Sequence, residues 1–359
     1  MRKMINVRAK RIAFLSPDLS FGGVEKVFID YANSISQEYE VSFILLNKVG
    51  VLLKMLSPRI KVEVLNESRL RYALISLIKL LNCKNYDYII AGTEKTNILL
   101  CVANIMAKSN SKIIASQHNF YDVENSYFIH NFILPFCLRK ADSIFAVSKG
   151  IREMIYKMGV KNKPIEVLYN PIDIQKIRKQ ADSTVLDLPL KYILFVGRLT
   201  RVKNIPYLFK AFSLFVRKHP DFKLVIVGDG ILKEYLYKYS SELHLSDKIV
   251  WVGATDNPYP YIKKATLVAL TSFSESLSNV VLETICLGKT IVATPCIGPC
   301  EILKGSTYGY IVQSYDDVQE LSSMMEHALI EPKNPQILEE YSLQFDINVS
   351  VSKLKKMLS

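Results

Sequence analysis

"LVALTSFSESLSNVVLETICLGKTIVATP", residues 267–295, reads as a buried strand, a loop, a helix and a second buried strand. Short apolar runs at both ends suit strands covered on both faces, and the middle has the length of a packed helix. A strand–helix–strand unit of this kind joins two parallel strands by a right-handed crossover. Two carboxylates stand in this apolar setting, Glu275 and Glu283, eight positions apart. Carboxylates rarely enter an interior without a partner. Either both face solvent, or a ligand meets them.

The same alternation extends outward in both directions. Upstream stand "RIAFLSP", "VSFILLN", "KVEVL", "YDYIIAGT", "KIIASQH" and "SIFAVS", separated by helix-length amphipathic segments. The regular pattern lapses around residues 165–191, a polar stretch with two prolines, and a linker is expected near 170–188. It restarts with "YILFVGR", "KLVIVGDG", "KIVWVG", "LVALTS", "TIVATP" and "YGYIVQ". Two rounds of alternating strand and helix imply two doubly wound α/β domains facing each other. A chain of 359 residues, 49% hydrophobic, has the length for two such cores.

Charge separates the halves. Residues 1–180 carry 27 Lys and Arg against 15 Asp and Glu, leaving 19 of each sign for the remainder of the chain. The basic half calls for an anionic partner: nucleic acid, a membrane surface or a phosphate-bearing substrate, the plain alternative being a soluble basic surface. No zinc-finger spacing, aromatic RNA-binding motif or basic low-complexity arm is present, which argues against nucleic acid. "RLRYALISLIKLLNCK", residues 69–84, reads as a basic amphipathic helix that either lies on a membrane or packs its apolar side on the sheet. No apolar run reaches the length of a bilayer span, and the first residues lack the apolar core of a signal peptide. Six cysteines in so long a chain point to reduced thiols. Cys296 and Cys300 have no second ligand pair to make a zinc site.

Ligands of doubly wound sheets bind at the carboxyl ends of the strands, so the loops there are the ones to read. "FGGVEK" places Gly22 and Gly23 before a helix, either for close approach of a phosphate to the helix start or for a turn that needs positive φ. It is neither a dinucleotide-binding GxGxxG nor a Walker loop. "GRLTRVKN" follows a strand with Arg198 and Lys203, which suit a diphosphate or are ordinary surface cations. Ser278 or Asn279 caps the helix that carries Glu283. His118 ends "KIIASQH", where it serves proton transfer, substrate binding or a local turn. Glu275 and Glu283 suit sugar and ribose hydroxyls, and they lack the clustered carboxylates of a metal site.

Taken together, "FGGVEK", the tract from "ASQHN" to "FAVSKGIREM", "GRLTRVKN", "VGDG" and "ESLSNVVLE" resemble glycosyltransferase family 4 over nearly the whole chain. The Glu-x7-Glu spacing of Glu275 and Glu283 is the most specific part. The resemblance implies the GT-B fold, two doubly wound Rossmann-like domains facing a central cleft. Residues 1–175 would form the acceptor domain and 186–340 the donor domain, with a helix in 341–359 crossing back to the first. It implies a retaining enzyme that moves a hexose or N-acetylhexosamine from a nucleotide-diphosphate sugar, with UDP as the expected nucleotide. The acceptor would be a glycan or polyprenyl-linked glycan of a bacterial capsule, O-antigen or exopolysaccharide.

By the same resemblance, Arg198 and Lys203 would hold the diphosphate, Glu283 the ribose and Glu275 the transferred sugar. The segment Leu277, Ser278, Asn279 and Val280 would line the donor, and Gly230 would belong to the donor site. Gly22 and Gly23 would approach the phosphate, and His118 would sit beside sugar and acceptor. Neither cofactor nor metal is expected, nor nucleic acid as a partner. The expected place is the cytoplasm, peripheral to the inner face of the membrane. Competing expectations are a GT-B epimerase and a non-catalytic nucleotide-sugar-binding scaffold.

Overall fold

The structure, a computed structural model, describes residues 8–20, 22–67, 69, 72–118, 129–183 and 188–359. The start of the chain, much of the tract after "SQH" and residues 184–187 of the expected linker therefore lie outside the described residues. The chain divides into two compact units, one running to Pro171 and resuming at Ile347, the other spanning Ile172–Asp346.

The first unit is a seven-stranded parallel sheet. Its strands are β1 (Arg11–Ser16), β2 (Glu40–Leu45), β3 (Lys61–Val64), β4 (Tyr88–Ala91), β5 (Lys112–Gln117), β6 (Ser143–Ala146) and β7 (Ile165–Val167). They lie in the order β3-β2-β1-β4-β5-β6-β7. Helices cover both faces, so central strands such as β1 and β4 are buried almost throughout and read as unbroken apolar runs. Phe14, Phe28 and Phe43 meet in the core, with ring centres 5.2 and 5.5 Å from Phe14. The last helix, Ile347–Met357, packs on the first, Gly23–Ile35, and Val351, Leu354 and Leu358 enter the same core.

The second unit repeats the plan with β8 (Tyr192–Val196), β9 (Lys223–Val227), β10 (Ile249–Gly253), β11 (Leu267–Leu270), β12 (Ile291–Ala293) and β13 (Tyr310–Ile311). The order is β10-β9-β8-β11-β12-β13, all parallel. Helix Ile205–Lys218 drives Phe209, Phe212 and Phe215 onto β8 and β9. Both sheets thus have the doubly wound architecture read from the sequence.

Two differences stand out. β7 falls where the periodicity lapses, because three residues of "IEV" are too short to show a period. Part of the expected linker is a helix, Ile174–Ala181, capped by Asp173 Oδ1, which accepts from Lys176 N at 2.9 Å. That helix belongs to the second unit, where Arg178 meets Glu339 at 3.3 Å. Its polar outer face hid an apolar stripe of Ile174, Ile177 and Ala181.

Candidate functional site

The winding direction of the second sheet reverses between β8 and β11, and the loops leaving these two strands flank the switch point. After β8 the chain passes Gly197 and exposed Arg198, then makes one tight turn, Arg201–Lys203. Asn204 follows with φ of 47°, a left-handed conformation that Asn tolerates, and its Nδ2 donates to Tyr315 O at 2.9 Å. This turn aims Lys203 toward the loop after β11. Lys203 Nζ meets Glu275 Oε1 at 2.5 Å, and Ser272 Oγ donates to the same oxygen at 2.7 Å. The two charged side chains are only 21% and 13% exposed, so the pair is largely withdrawn from water.

Backbone and hydroxyl contacts lock the two loops together. Phe273 N donates to Val202 O at 2.8 Å, and Thr271 Oγ1 to Lys203 O at 3.0 Å. Thr294 Oγ1 and Cys296 Sγ both donate to Ser272 O, at 2.6 and 3.0 Å. Burial pushes the Cys296 thiol up to about 11, which suits a proton donor and not a metal ligand. No group of residues able to hold a metal ion occurs among the described residues. Gly298 N donates to Glu275 O at 2.9 Å, and a Cβ on Gly298 would stand 2.7 Å from Leu277 Cα. Ser272, Thr294 and Gly298 thus set the carboxylate of Glu275. Sequence reading passed them over, although a hydroxyl directly after an apolar strand was the available signal.

Glu283 is the fifth residue of helix Asn279–Cys286 and is 5% exposed. Ser278 occupies the cap position in an extended conformation, but its side chain makes no capping bond. Leu277 and Ser278 are buried, while Asn279 and Val280 are half-buried. The start of this helix, with the positive end of its dipole, therefore lies beside Glu275 in the chain. Gly230 serves packing: a Cβ there would stand 2.5 Å from Leu199 O, and Leu199 N donates to Asp229 O at 2.9 Å. Gly228, with φ of +148°, leaves even less room, 1.9 Å from Gly197 O.

In the first unit, the turn reading of Gly22 and Gly23 fails. Gly22 is extended at φ −152°, and Gly23 is not among the residues of positive φ. A Cβ on Gly22 would displace only the tip of Glu25, and a Cβ on Gly23 would meet nothing within 4 Å. Gly23 therefore sits in the first helical turn with no folding need for glycine, where alanine would be the more stable choice.

His118 directly follows β5 and is buried, with the rings of Phe28 and Phe145 edge-on at 5.8 and 6.0 Å. Its Nε2 lies 3.0 Å from Ser116 Oγ, whose hydrogen is given to Ala91 O at 2.9 Å. Nε2 is thus the protonated nitrogen, donating to the hydroxyl oxygen. Burial pulls the imidazole down to about 3, so it is neutral at physiological pH.

Residues 176–345 match the family model described as Glycosyl transferases group 1, and residues 21–176 match that described as Glycosyltransferase Family 4. Among characterised proteins, the chain is 28% identical to a Campylobacter jejuni N-acetylgalactosamine-N,N'-diacetylbacillosaminyl-diphospho-undecaprenol 4-alpha-N-acetylgalactosaminyltransferase, over 86% of this chain and 88% of that one. A second C. jejuni protein is 27% identical over 86% of each chain. It is an alpha-1,4-N-acetyl-D-galactosaminyltransferase named for a GalNAc-GalNAc-diNAcBac-PP-undecaprenol substrate. Among solved structures, Anabaena HepE in complex with UDP and glucose shares the fold at a TM-score of 0.80 and 20% identity, covering 97% of this chain and 99% of that one.

Proposed function

Because this chain belongs to glycosyltransferase family 4 and is a glycosyltransferase, we propose that it moves a hexose or N-acetylhexosamine from a UDP-sugar to a polyprenyl-linked glycan, with retention of configuration, during assembly of a bacterial surface glycan at the inner membrane face. The observation that carries the reading is the Lys203–Glu275–Ser272 cluster at the switch point of the second unit, followed by the helix that buries Glu283. Lys203 and Arg198 meet the diphosphate, so the bond between the anomeric carbon and the phosphate oxygen breaks toward a stabilised anion. Glu275 accepts from hydroxyls of the sugar, and Glu283 from those of the ribose. The acceptor hydroxyl bonds to the anomeric carbon from the leaving-group face and passes its proton to the departing phosphate oxygen. These cations, together with the start of helix Asn279–Cys286, hold the charge without a divalent metal, so transfer survives a chelator.

The acceptor class is supported by the Campylobacter relatives, whose names specify diphospho-undecaprenol glycans. UDP is the nucleotide to test first, since the Anabaena structure holds it. The test is calorimetric titration of UDP, GDP and ADP into wild type and Glu283→Gln. UDP alone should bind, and the substitution should weaken it about tenfold or more, the size of charge-assisted hydrogen bonds lost. Equal affinity for Glu283→Gln would remove Glu283 from the ribose, and binding of another nucleotide would replace UDP. Transfer of sugar to a synthetic polyprenyl-diphosphate glycan, with the product anomer read by NMR, then decides acceptor class and retention.

A further inference from the structure

A surface helix ordinarily turns its polar side to water. Three neighbouring helical segments of the first unit bury one apolar face in this way and yet carry large apolar residues on the outer side as well. Ala73–Cys83, Glu94–Met106 and Leu134–Lys140, the last preceded by the turn Ile129–Ile133, follow β3, β4 and β5 in turn. Those crossovers run in one direction along the sheet, so the three helices lie side by side on one face. Their outward residues include Ile75 at 65% exposure, Ile105, Met106 at 61%, Phe132 and Phe136. The next helix of the same layer, Lys149–Lys157, is ordinary by comparison and exposes Lys149, Glu153 and Lys157.

Cations border the apolar stripes. Lys79, Lys108, Arg139 and Lys140 are all exposed, toward or just past the C-terminal ends of these helices. None of the four is ion-paired with a described residue, and the single carboxylate of the three helices is Glu94. Lys140 Nζ stands 5.8 Å from the centre of the Phe136 ring, a cation beside an exposed aromatic. Unpaired positive charge asks for an anionic partner. Exposed aliphatic and aromatic side chains among those charges ask for one that also offers hydrocarbon. A polyanion such as nucleic acid supplies only the first, whereas the headgroup region of an anionic bilayer supplies both.

We propose that this three-helix face docks the protein on an anionic lipid bilayer, with Ile75, Ile105 and Phe136 entering the headgroup boundary and Lys79, Lys108, Arg139 and Lys140 meeting lipid phosphates. The proposal deepens the lipid-linked acceptor reading and rests on it for its setting. No helix among the described residues is long and apolar enough to cross a membrane, so the attachment is to one surface.

The test is flotation of the purified full chain with vesicles of equal parts phosphatidylglycerol and phosphatidylcholine, against vesicles of phosphatidylcholine alone. The wild type should float with the mixed vesicles and release as salt rises. Replacing Lys79, Lys108, Arg139 and Lys140 with Gln should lower partition several hundred-fold, at about fivefold per cation. Ile75→Ser, Ile105→Ser and Phe136→Ser combined should lower it at every salt concentration. All these side chains are exposed, so circular dichroism and melting temperature should stay at wild-type values; if the Ser variant unfolds, the Gln variant alone decides. Wild type that ignores both vesicles, or variants that float like wild type, would overturn the proposal. So would a dimer that the Ser variant dissolves while no vesicle is bound. The assay holds neither donor nor acceptor. A chain that floats but transfers no sugar keeps this inference and loses the proposed function, and the converse result does the reverse.

Discussion

Lys203 and Glu275 are adjacent in space because a single left-handed residue, Asn204, ends the turn after β8 and lets the lysine reach the loop after β11. Removing the lysine leaves Glu275 with Ser272 as a neutral partner, and the charge proposed to meet the leaving group is lost. Lys203→Ala should therefore lower kcat about 100-fold at saturating donor, and should also lower the melting temperature, because the carboxylate of a largely buried pair loses its cation. A fall in donor affinity alone, with kcat intact, would assign Lys203 to binding only. His118 makes a different kind of prediction, one about stability against pH. Its folded pKa of about 3 lies below the ordinary 6.5, so the unfolded chain takes up a proton that the folded chain refuses. Stability is full above about pH 6.5 and falls as pH drops toward 3, by about 1.4 kcal/mol per pH unit from this group. His118→Gln should flatten that part of the acid profile in denaturant titrations between those limits. An unchanged slope would show that the imidazole is charged inside the fold.

At the scale of elements, two glycines with different reasons for existing can be told apart. Gly228 holds φ of +148° with a neighbouring carbonyl 1.9 Å from where a Cβ would be, so Gly228→Ala strains the backbone and separates the loops after β8 and β9. A loss of several kcal/mol, on the order of 2–4, is expected in urea unfolding. Gly23 has no such constraint, and Gly23→Ala should raise stability by up to about 1 kcal/mol through helix propensity while sugar transfer falls. Unaltered transfer would mean that nothing approaches this helix start closely. Element boundaries show how far local pattern carries. Strands buried on both faces announce themselves as apolar runs, which is why β1 and β8 were legible. β7 and the helix Ile174–Ala181 were not, the first for brevity and the second because charged residues dominate its outer turns.

Over the whole molecule, the chain leaves its first unit at Pro171, builds the second, and returns at Ile347. The returning helix seats Leu354 and Leu358 at full burial, with Val351 nearly so, in the core laid down by β1 and helix Gly23–Ile35. Leu354→Ala should cost about 2–5 kcal/mol and act on the first unit alone. A hydrogen-exchange comparison would show opening of β1 and β2 while the strands of Ile172–Asp346 keep their protection. Uniform loss of protection across both units would contradict the division.

The sequence by itself determined the class of architecture, the two rounds of winding and the loops at the carboxyl ends of the strands. These follow from local rules, since apolar runs, helix periods and a Glu-x7-Glu spacing are properties of neighbours in the chain. Only the tertiary structure decided that Glu275 is paired with Lys203 and steadied by Ser272, that His118 is neutral between two aromatic rings, and that Gly230 serves packing. It also decided that three separate helices combine into one apolar and basic face. Each of these joins residues distant in sequence, and burial or pairing at such range depends on how the strands are ordered in the sheet, which no local pattern encodes.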